Sequence, residues 1–176
     1  MAVLTIGTFD GVHAGHRALV ARARALAASR GERLIAVTFS PRPEVVLARG
    51  RRTLPDICSV DVRVARLLDA GADEVVVLKF DAELAATSAA DFVAMMRRDL
   101  GMTALCVGSE FRLGRHGEGD VPALRALGVE VDAVEVVHRH GMRAKISSTT
   151  VRRAIAAGIP ADLALEGLAP VLETVA

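Results

Sequence analysis

The chain has 176 residues, 52% of them hydrophobic, with 22 basic and 21 acidic side chains and a formal net charge of +1. That length fits one domain able to bury a core without staples, and the balanced charge gives no electrostatic argument for nucleic acid or an anionic membrane surface. The N-terminus enters an apolar run with no basic leader, no apolar stretch reaches membrane-span length, and Cys58 and Cys106 sit far apart in apolar contexts. A cytoplasmic protein with two reduced, partly buried thiols is the expectation.

Ala2-Val3-Leu4-Thr5-Ile6 suits a buried strand, and residues 17 to 26 have helical composition and spacing. Between them lies Gly7-Thr8-Phe9-Asp10-Gly11-Val12-His13-Ala14-Gly15-His16. Its glycines allow a tight turn and close ligand approach, and the free amides of the first helical turn favour an anion. His13 and His16 can point at one bound group and donate hydrogen bonds to phosphate oxygens. Blander readings stand beside that one. The imidazoles could cap the helix or pair with a carboxylate, or share a zinc, although no nearby cysteine or acidic cluster completes a ligand set. The dinucleotide spacing Gly-x-Gly-x-x-Gly and the Gly-Lys-Ser/Thr ending of a phosphate loop are both absent.

Residues 29 to 32 read as a helix stop and residues 33 to 39 as a second strand, parallel to the first through a crossover. The strand runs into Ser40-Pro41-Arg42-Pro43, whose prolines are expected to hold the chain extended at the ligand edge, with Arg42 a fixed cation at the mouth. Residues 44 to 56 form a mixed stretch, its Arg49-Gly50-Arg51-Arg52 cluster reading as a solvated loop. Ser59 caps an amphipathic helix ending near Gly71, residues 74 to 78 make a third buried strand, and Ser88 caps a helix over 89 to 100 with Phe92, Met95 and Met96 inward.

Residues 104 to 107 are a fourth strand, followed by a flexible, cationic Gly-rich loop from 108 to 121. Phe111 is its aromatic face for a flat ring. A short helix to Leu127 and a strand over 129 to 134 come next, then an exposed turn with His138, His140 and Gly141. In Lys145-Ile146-Ser147-Ser148-Thr149-Thr150-Val151-Arg152-Arg153, Ser147 or Ser148 caps a helix and Arg152 lies one turn in. An ordinary capped helix and a phosphate cradle both fit that pattern. Residues 158 to 160 end the helix, and a short packing helix follows.

Taken together, Gly7 to His16, the 108–121 loop and Ile146-Ser147-Ser148-Thr149-Thr150-Val151-Arg152 resemble the signatures of the His-x-Gly-His nucleotidyltransferases, in particular the FMN adenylyltransferase (FAD synthetase) module of bacterial riboflavin-processing enzymes. The phrase Phe80-Asp81-Ala82-Glu83-Leu84 before Phe92-Val93 is similar too. Departures from the family pattern are Ser40 and Arg42, in a segment that usually reads Thr-Phe-Asp-Pro-His-Pro, Glu110 for a shorter Asp or Asn, and Leu113 for an aromatic. The resemblance implies a single doubly wound parallel α/β domain of Rossmann-like nucleotidyltransferase type. It also implies transfer of AMP from ATP to FMN, giving FAD and pyrophosphate with Mg²⁺.

Residue roles follow from the resemblance alone. His13, His16 and Arg152 are catalytic. Gly7, Thr8, Phe9, Asp10, Gly15, Ser147, Ser148 and Thr149 hold the nucleotide phosphates, with Asp10 orienting the turn rather than acting as a base. Ser40, Arg42, Glu110, Phe111, Arg112 and Gly114 face the flavin or another acceptor, and no residue is assigned to the metal. No riboflavin kinase domain is expected in the chain, so a separate kinase would supply FMN. The departures leave other readings open: a different phosphorylated acceptor, CTP in place of ATP, or a binding module without turnover.

Overall fold

A computed structural model describes residues 1–48, 50–51, 53–135 and 147–167. The exposed turn with His138, His140 and Gly141, the residues Lys145 and Ile146, and the arginines 49 and 52 therefore lie outside the described residues. In chain order the elements are β1 (Ala2–Ile6), α1 (Ala14–Arg30), β2 (Arg33–Ser40), α2 (Pro43–Leu47), α3 (Val60–Asp69) and β3 (Glu74–Lys79). There follow α4 (Ala82–Ala86), α5 (Ala89–Leu100), β4 (Met102–Gly108), β5 (Arg112–Leu113), β6 (Gly119–Asp120), α6 (Val121–Ala126), β7 (Glu130–Val134), α7 (Ser148–Ala156) and α8 (Ala161–Leu165).

Five strands form one sheet in the order β3-β2-β1-β4-β7, and every neighbouring pair is parallel. All five residues of β1 are buried, as an apolar run covered on both faces requires. Alternate side chains divide between two cores. Leu4 and Ile6 join Ile35, Val37, Phe92, Met96, Leu105 and Leu124 on one side, and Val3 joins Val20, Ala23, Ala27, Leu34, Ala36, Leu67 and Cys106 on the other. This is the doubly wound α/β arrangement the motifs imply.

Local capping chemistry sets the helix starts. Ser59 accepts the Val62 N–H ahead of α3, Ser88 accepts the Asp91 N–H ahead of α5, and Ser147 takes the Thr150 N–H ahead of α7. Cys106 is buried, and burial pushes its thiol up to about 12; Cys58 is half-buried, and both are free thiols.

Three expectations change. The strand expected to be buried, β3, is a sheet edge with Val77 and Lys79 exposed, because nothing pairs beyond it among the described residues. Pro43 does not extend the chain but opens α2, where its missing N–H costs nothing at a first helical position. The mixed stretch after it is therefore partly helical. Finally, the loop expected to be flexible is a small antiparallel hairpin of β5 and β6, tied down by the Glu118 carboxylate accepting the Ala89 N–H at 2.9 Å and by Arg115 N–H donating to Thr87 O at 2.8 Å.

Candidate active site

At the C-terminal edge of the sheet lies a cavity of about 700 Å³. Ile6 and Gly7 line it from the end of β1, Phe39 from β2, Gly108 from β4 and Val134 from β7. Because β1 has β2 on one side and β4 on the other, the cavity opens where the strand order reverses, the ligand crevice of an open α/β sheet.

Of the residues expected at a site, Gly7, Thr8, Phe9, His13, Gly15, His16, Glu110, Phe111, Arg112, Ser147 and Ser148 line this cavity. Asp10, Ser40, Arg42, Gly114, Thr149 and Arg152 do not. Leu19, Pro43, Glu44, Leu47 and Glu135 line it without having been read as site residues. Leu19 was within reach of sequence reasoning, since it follows His16 by three on the same helical face. Glu44 and Leu47 were hidden because residues 44 to 56 read only as a mixed stretch, with no helix assigned to them.

The segment from Gly7 to Val12 is held in an unusual backbone. Phe9, Gly11 and Val12 have φ of 47°, 80° and 50°, and for a β-branched valine that is a real outlier. Such strain persists only where surroundings over-determine it. Here the carbonyls are taken one after another: Thr8 O accepts Thr38 Oγ1, Phe9 O the Val12 N–H, Asp10 O Ser148 Oγ, Gly11 O Arg66 Nη1 and Val12 O Arg17 Nη1, at 2.9–3.4 Å.

His13 is the N-cap of α1, its Nδ1 accepting the His16 N–H at 3.4 Å. The capping reading and the cavity-facing reading thus both hold for this residue. With Nδ1 an acceptor, the neutral ring carries its hydrogen on Nε2. The two imidazoles stack at 3.6 Å and 17°, and the Phe9 ring meets His16 edge-on at 5.3 Å. Burial, reinforced by the Arg17 charge and opposed by Asp10, lowers His13 to about 4. His16 is held well below the ordinary imidazole range by burial first, then by His13, Arg63 and Arg17. Both rings are therefore neutral donors near pH 7.

Beneath the loop, charges pair out of sight of the cavity. Asp10, 1% exposed, accepts the Ile57 N–H at 3.0 and 3.1 Å and meets Arg152 Nη2 at 2.5 Å. Arg42 is no free cation at the mouth. It is 3% exposed, donates to Asp56 Oδ1 and Leu54 O at 2.6 Å, and lies 3.8 Å from Asp10, because a buried guanidinium must find acceptors. Arg152, expected to grip phosphate, spends Nη2 on Asp10 and Nε on Pro55 O. Ser40 is half-buried at the end of β2, Thr149 is exposed on α7, and Gly114 sits in the hairpin against Ala89.

Among the described residues no group of three or more His, Cys, Asp or Glu side chains converges on one point, so the zinc reading of the histidine pair gains no further ligand. No described helix is long and apolar enough to cross a membrane.

Comparison with known proteins adds the chain's relatives. The chain is 38% identical over 160 residues to a bifunctional riboflavin kinase/FMN adenylyltransferase of Pseudomonas fluorescens, covering 88% of this chain and 50% of that protein. It is 33% identical over 159 residues to the protein of the same name in Escherichia coli K12, covering 88% and 50%. An FAD synthetase of Listeria monocytogenes is 32% identical over 161 residues, covering 89% of this chain and 64% of that one. The chain thus spans about half the length of the bifunctional relatives it matches. A crystal structure named as a macrolide-efflux protein from Streptococcus pneumoniae superposes with a TM-score of 0.77 at 26% identity, over 88% of this chain and 50% of that one. Residues 1–150 match the family model described as FAD synthetase, and the chain belongs to that family.

Proposed function

We propose that this chain transfers the adenylyl group of ATP to the phosphate of FMN, giving FAD and pyrophosphate. The observation that carries the reading is the stacked His13–His16 pair on the wall of a cavity that also takes Ser147 and Ser148 from the start of α7. Hydrogen-bond donors from two helix starts thereby face one space, which suits a bound polyphosphate. The names of the relatives, FMN adenylyltransferase and FAD synthetase, support the same substrates.

In this reading an FMN phosphate oxygen attacks the α-phosphorus of ATP, the bond from that phosphorus to the β-phosphate bridging oxygen breaks, and pyrophosphate leaves with the electron pair. No group of the protein becomes covalently attached. The chain's task is positioning and charge stabilisation. His13 and His16 approach the phosphates as neutral N–H donors, so they need not be desolvated as cations beforehand, and their bonds strengthen as negative charge builds. Arg152 acts from behind the wall, holding Asp10 and the strained loop in place through Nη2 and Pro55 O through Nε. Thr8, Gly7 and Gly15 let the phosphate chain approach the backbone.

The apolar wall of Ile6, Leu19, Phe39, Leu47, Phe111 and Val134 suits a flat ring system. Arg112 is a cation beside it, and Glu110, the lengthened acid, is the family departure that lies on the cavity. With Ser40 and Arg42 off the wall, acceptor choice rests on fewer residues than the motifs imply. Mg²⁺ would arrive carried on the nucleotide phosphates, since no group of three or more His, Cys, Asp or Glu side chains converges among the described residues. It would neutralise phosphate charge there. A riboflavin kinase is the reaction that must supply the acceptor.

Pyrophosphate release by the purified chain with Mg²⁺ and ATP, with and without FMN, tests the reading, with FAD sought among the products. FMN-dependent pyrophosphate and FAD are expected, with CTP giving neither. ATP binding without turnover on FMN would overturn it and favour another phosphorylated acceptor or a binding role.

A further inference from the structure

The buried positions of α3 are Arg63 and Leu67, four residues apart on one helical face. An apolar side chain would be the ordinary occupant of the first. Arg63 is instead fully buried, the largest such side chain in the described fold, and a buried guanidinium is costly unless acceptors or a counter-charge surround it.

Its Nη1 donates to Phe39 O at 2.9 Å and to Thr38 Oγ1 at 3.3 Å, and that hydroxyl passes its own hydrogen to Thr8 O at 3.0 Å. Nη2 stands 3.7 Å from Asp56. Nε and Nη2 form no hydrogen bond, and two other buried polar atoms share that condition, Thr5 Oγ1 and His16 Nδ1. Thr5 shares the face of Val3 along β1 and Thr38 that of Leu34 and Ala36 along β2, so both point to the sheet face that α1 and α3 cover. His16 rises from α1 and Arg63 from α3 into that same layer. An otherwise apolar layer therefore holds a polar nest directly behind the active-site wall.

Within this nest the guanidinium and the Thr5 hydroxyl have hydrogens to give, and His16 Nδ1 is the atom able to receive one. His16 lines the cavity, and its Nδ1 is a nitrogen buried away from solvent without a hydrogen-bond partner. We infer that Arg63 is a positioning residue for His16: a donor-only cation behind the ring that keeps the Nδ1 lone pair inward and Nε2–H outward, while Thr38 relays its hold to the Thr8 carbonyl. The charged and titratable groups that bear on His16 are Arg63 from α3, His13 and Arg17 from its own end of α1, and beside His13 the Asp10 carboxylate of the loop. The two arginines and His13 act in one direction, against a charged ring.

The inference rests on the reading that His16 faces the reacting phosphates, but its test needs no substrate. Imidazole nitrogens of the ¹⁵N-labelled chain are followed by long-range proton–nitrogen spectra across pH, in the native chain and in Arg63→Gln. The native His16 is expected to stay neutral with its hydrogen on Nε2. In Arg63→Gln its titration midpoint should rise toward the ordinary imidazole range and the tautomers should mix. A native ring with the hydrogen on Nδ1, or a folded Arg63→Gln with unchanged tautomer and titration, overturns the assignment. Should Arg63→Gln not fold, Arg63→Lys and the native tautomer decide: lysine is also a donor-only cation, so a retained neutral Nε2–H tautomer of His16 in Arg63→Lys supports the inference, and mixed tautomers there overturn it. In turnover, the loss in Arg63→Gln is expected in kcat, about tenfold or more, with KM for FMN within roughly twofold. A loss confined to KM would put Arg63 on the acceptor side and defeat it.

Discussion

The two ends of the cavity are built in opposite ways. At the histidine end, the five successive carbonyls from Thr8 to Val12 all accept hydrogen bonds, three residues hold positive φ, and Asp10, Arg42 and Arg63 are buried beneath. At the hairpin end, Arg112 is 63% exposed, Leu47 is 55% exposed, and β5 and β6 have two residues each. One end is fixed by many converging bonds and the other by a few contacts. Reaction geometry demands the first kind of construction, since an ångström of error at a transferring phosphate is costly. Admission of a particular acceptor tolerates the second, and can be retuned without disturbing the chemistry.

The sharpest way to break the contrast is at Asp10. Asp10→Asn keeps the shape but removes the charge facing Arg152 and Arg42, leaving buried guanidinium under-compensated. A stability loss of about 3–5 kcal/mol is expected in urea unfolding. A loss below about 1 kcal/mol would mean that Asp56 and backbone carbonyls suffice, and that the histidine end is less tightly determined than its bonds indicate. Next in size, His16→Ala should lower kcat by about 10²–10³ with ATP affinity little changed. Near-normal turnover would remove His16 from the chemistry.

The pH response carries the same contrast. An unfolded chain takes up a proton on His13 near its ordinary 6.5, whereas the folded chain resists until about 4. Protons therefore favour the unfolded state between those values, and stability falls as pH drops from 6.5 to 4, levelling below. His13 accounts for about 3 kcal/mol of that fall, and His16 adds in the same direction. His13→Asn keeps an N-cap acceptor and should flatten the slope, measured as urea midpoints at several pH values. An unchanged slope would assign the acid sensitivity elsewhere.

What could be read from the sequence divides along the same line. The strands β1, β2, β4 and β7 and the helices α3 and α5 declare themselves through apolar runs and serine caps, which are local signals. The Gly7–His16 stretch declares its chemistry because glycines and imidazoles are concentrated in ten residues. Pairings across long separations were out of reach. Asp10 meets Arg152 from 142 positions away, and that meeting decides where the guanidinium points. Arg42 reads as a mouth cation until Asp56 and Leu54 are seen to enclose it. Strand β3 has the composition of a buried strand, and only its place at the sheet edge exposes it. The five residues of α2 and the two-residue strands of the hairpin are too short for periodicity to register. Arg63 had a usable signal, its spacing of four from Leu67 on an amphipathic helix, but a charged residue on an apolar stripe is easily passed over.

The smallest effect probes how the loose end is attached. Gly114 has φ of +75°, and a Cβ there would stand 2.6 Å from Ala89 N and 2.8 Å from Ala89 Cα, backbone atoms at the start of α5 that cannot swing aside. Gly117, in the same hairpin, has φ of +69° but would meet nothing nearer than Arg112 Cδ at 3.5 Å. Gly117→Ala therefore carries only the backbone penalty, about 1 kcal/mol. Gly114→Ala adds the collision, for a total of about 2–3 kcal/mol, which the hairpin can relieve by lifting from α5. If that contact sets the acceptor wall, Gly114→Ala should raise KM for FMN about tenfold while leaving ATP binding alone, and Gly117→Ala should change neither. Equal kinetic effects from both would mean that hairpin conformation, rather than its seat on Ala89, governs the acceptor. A fall in ATP affinity in Gly114→Ala would join the two ends mechanically, and the division of labour between them would have to be abandoned.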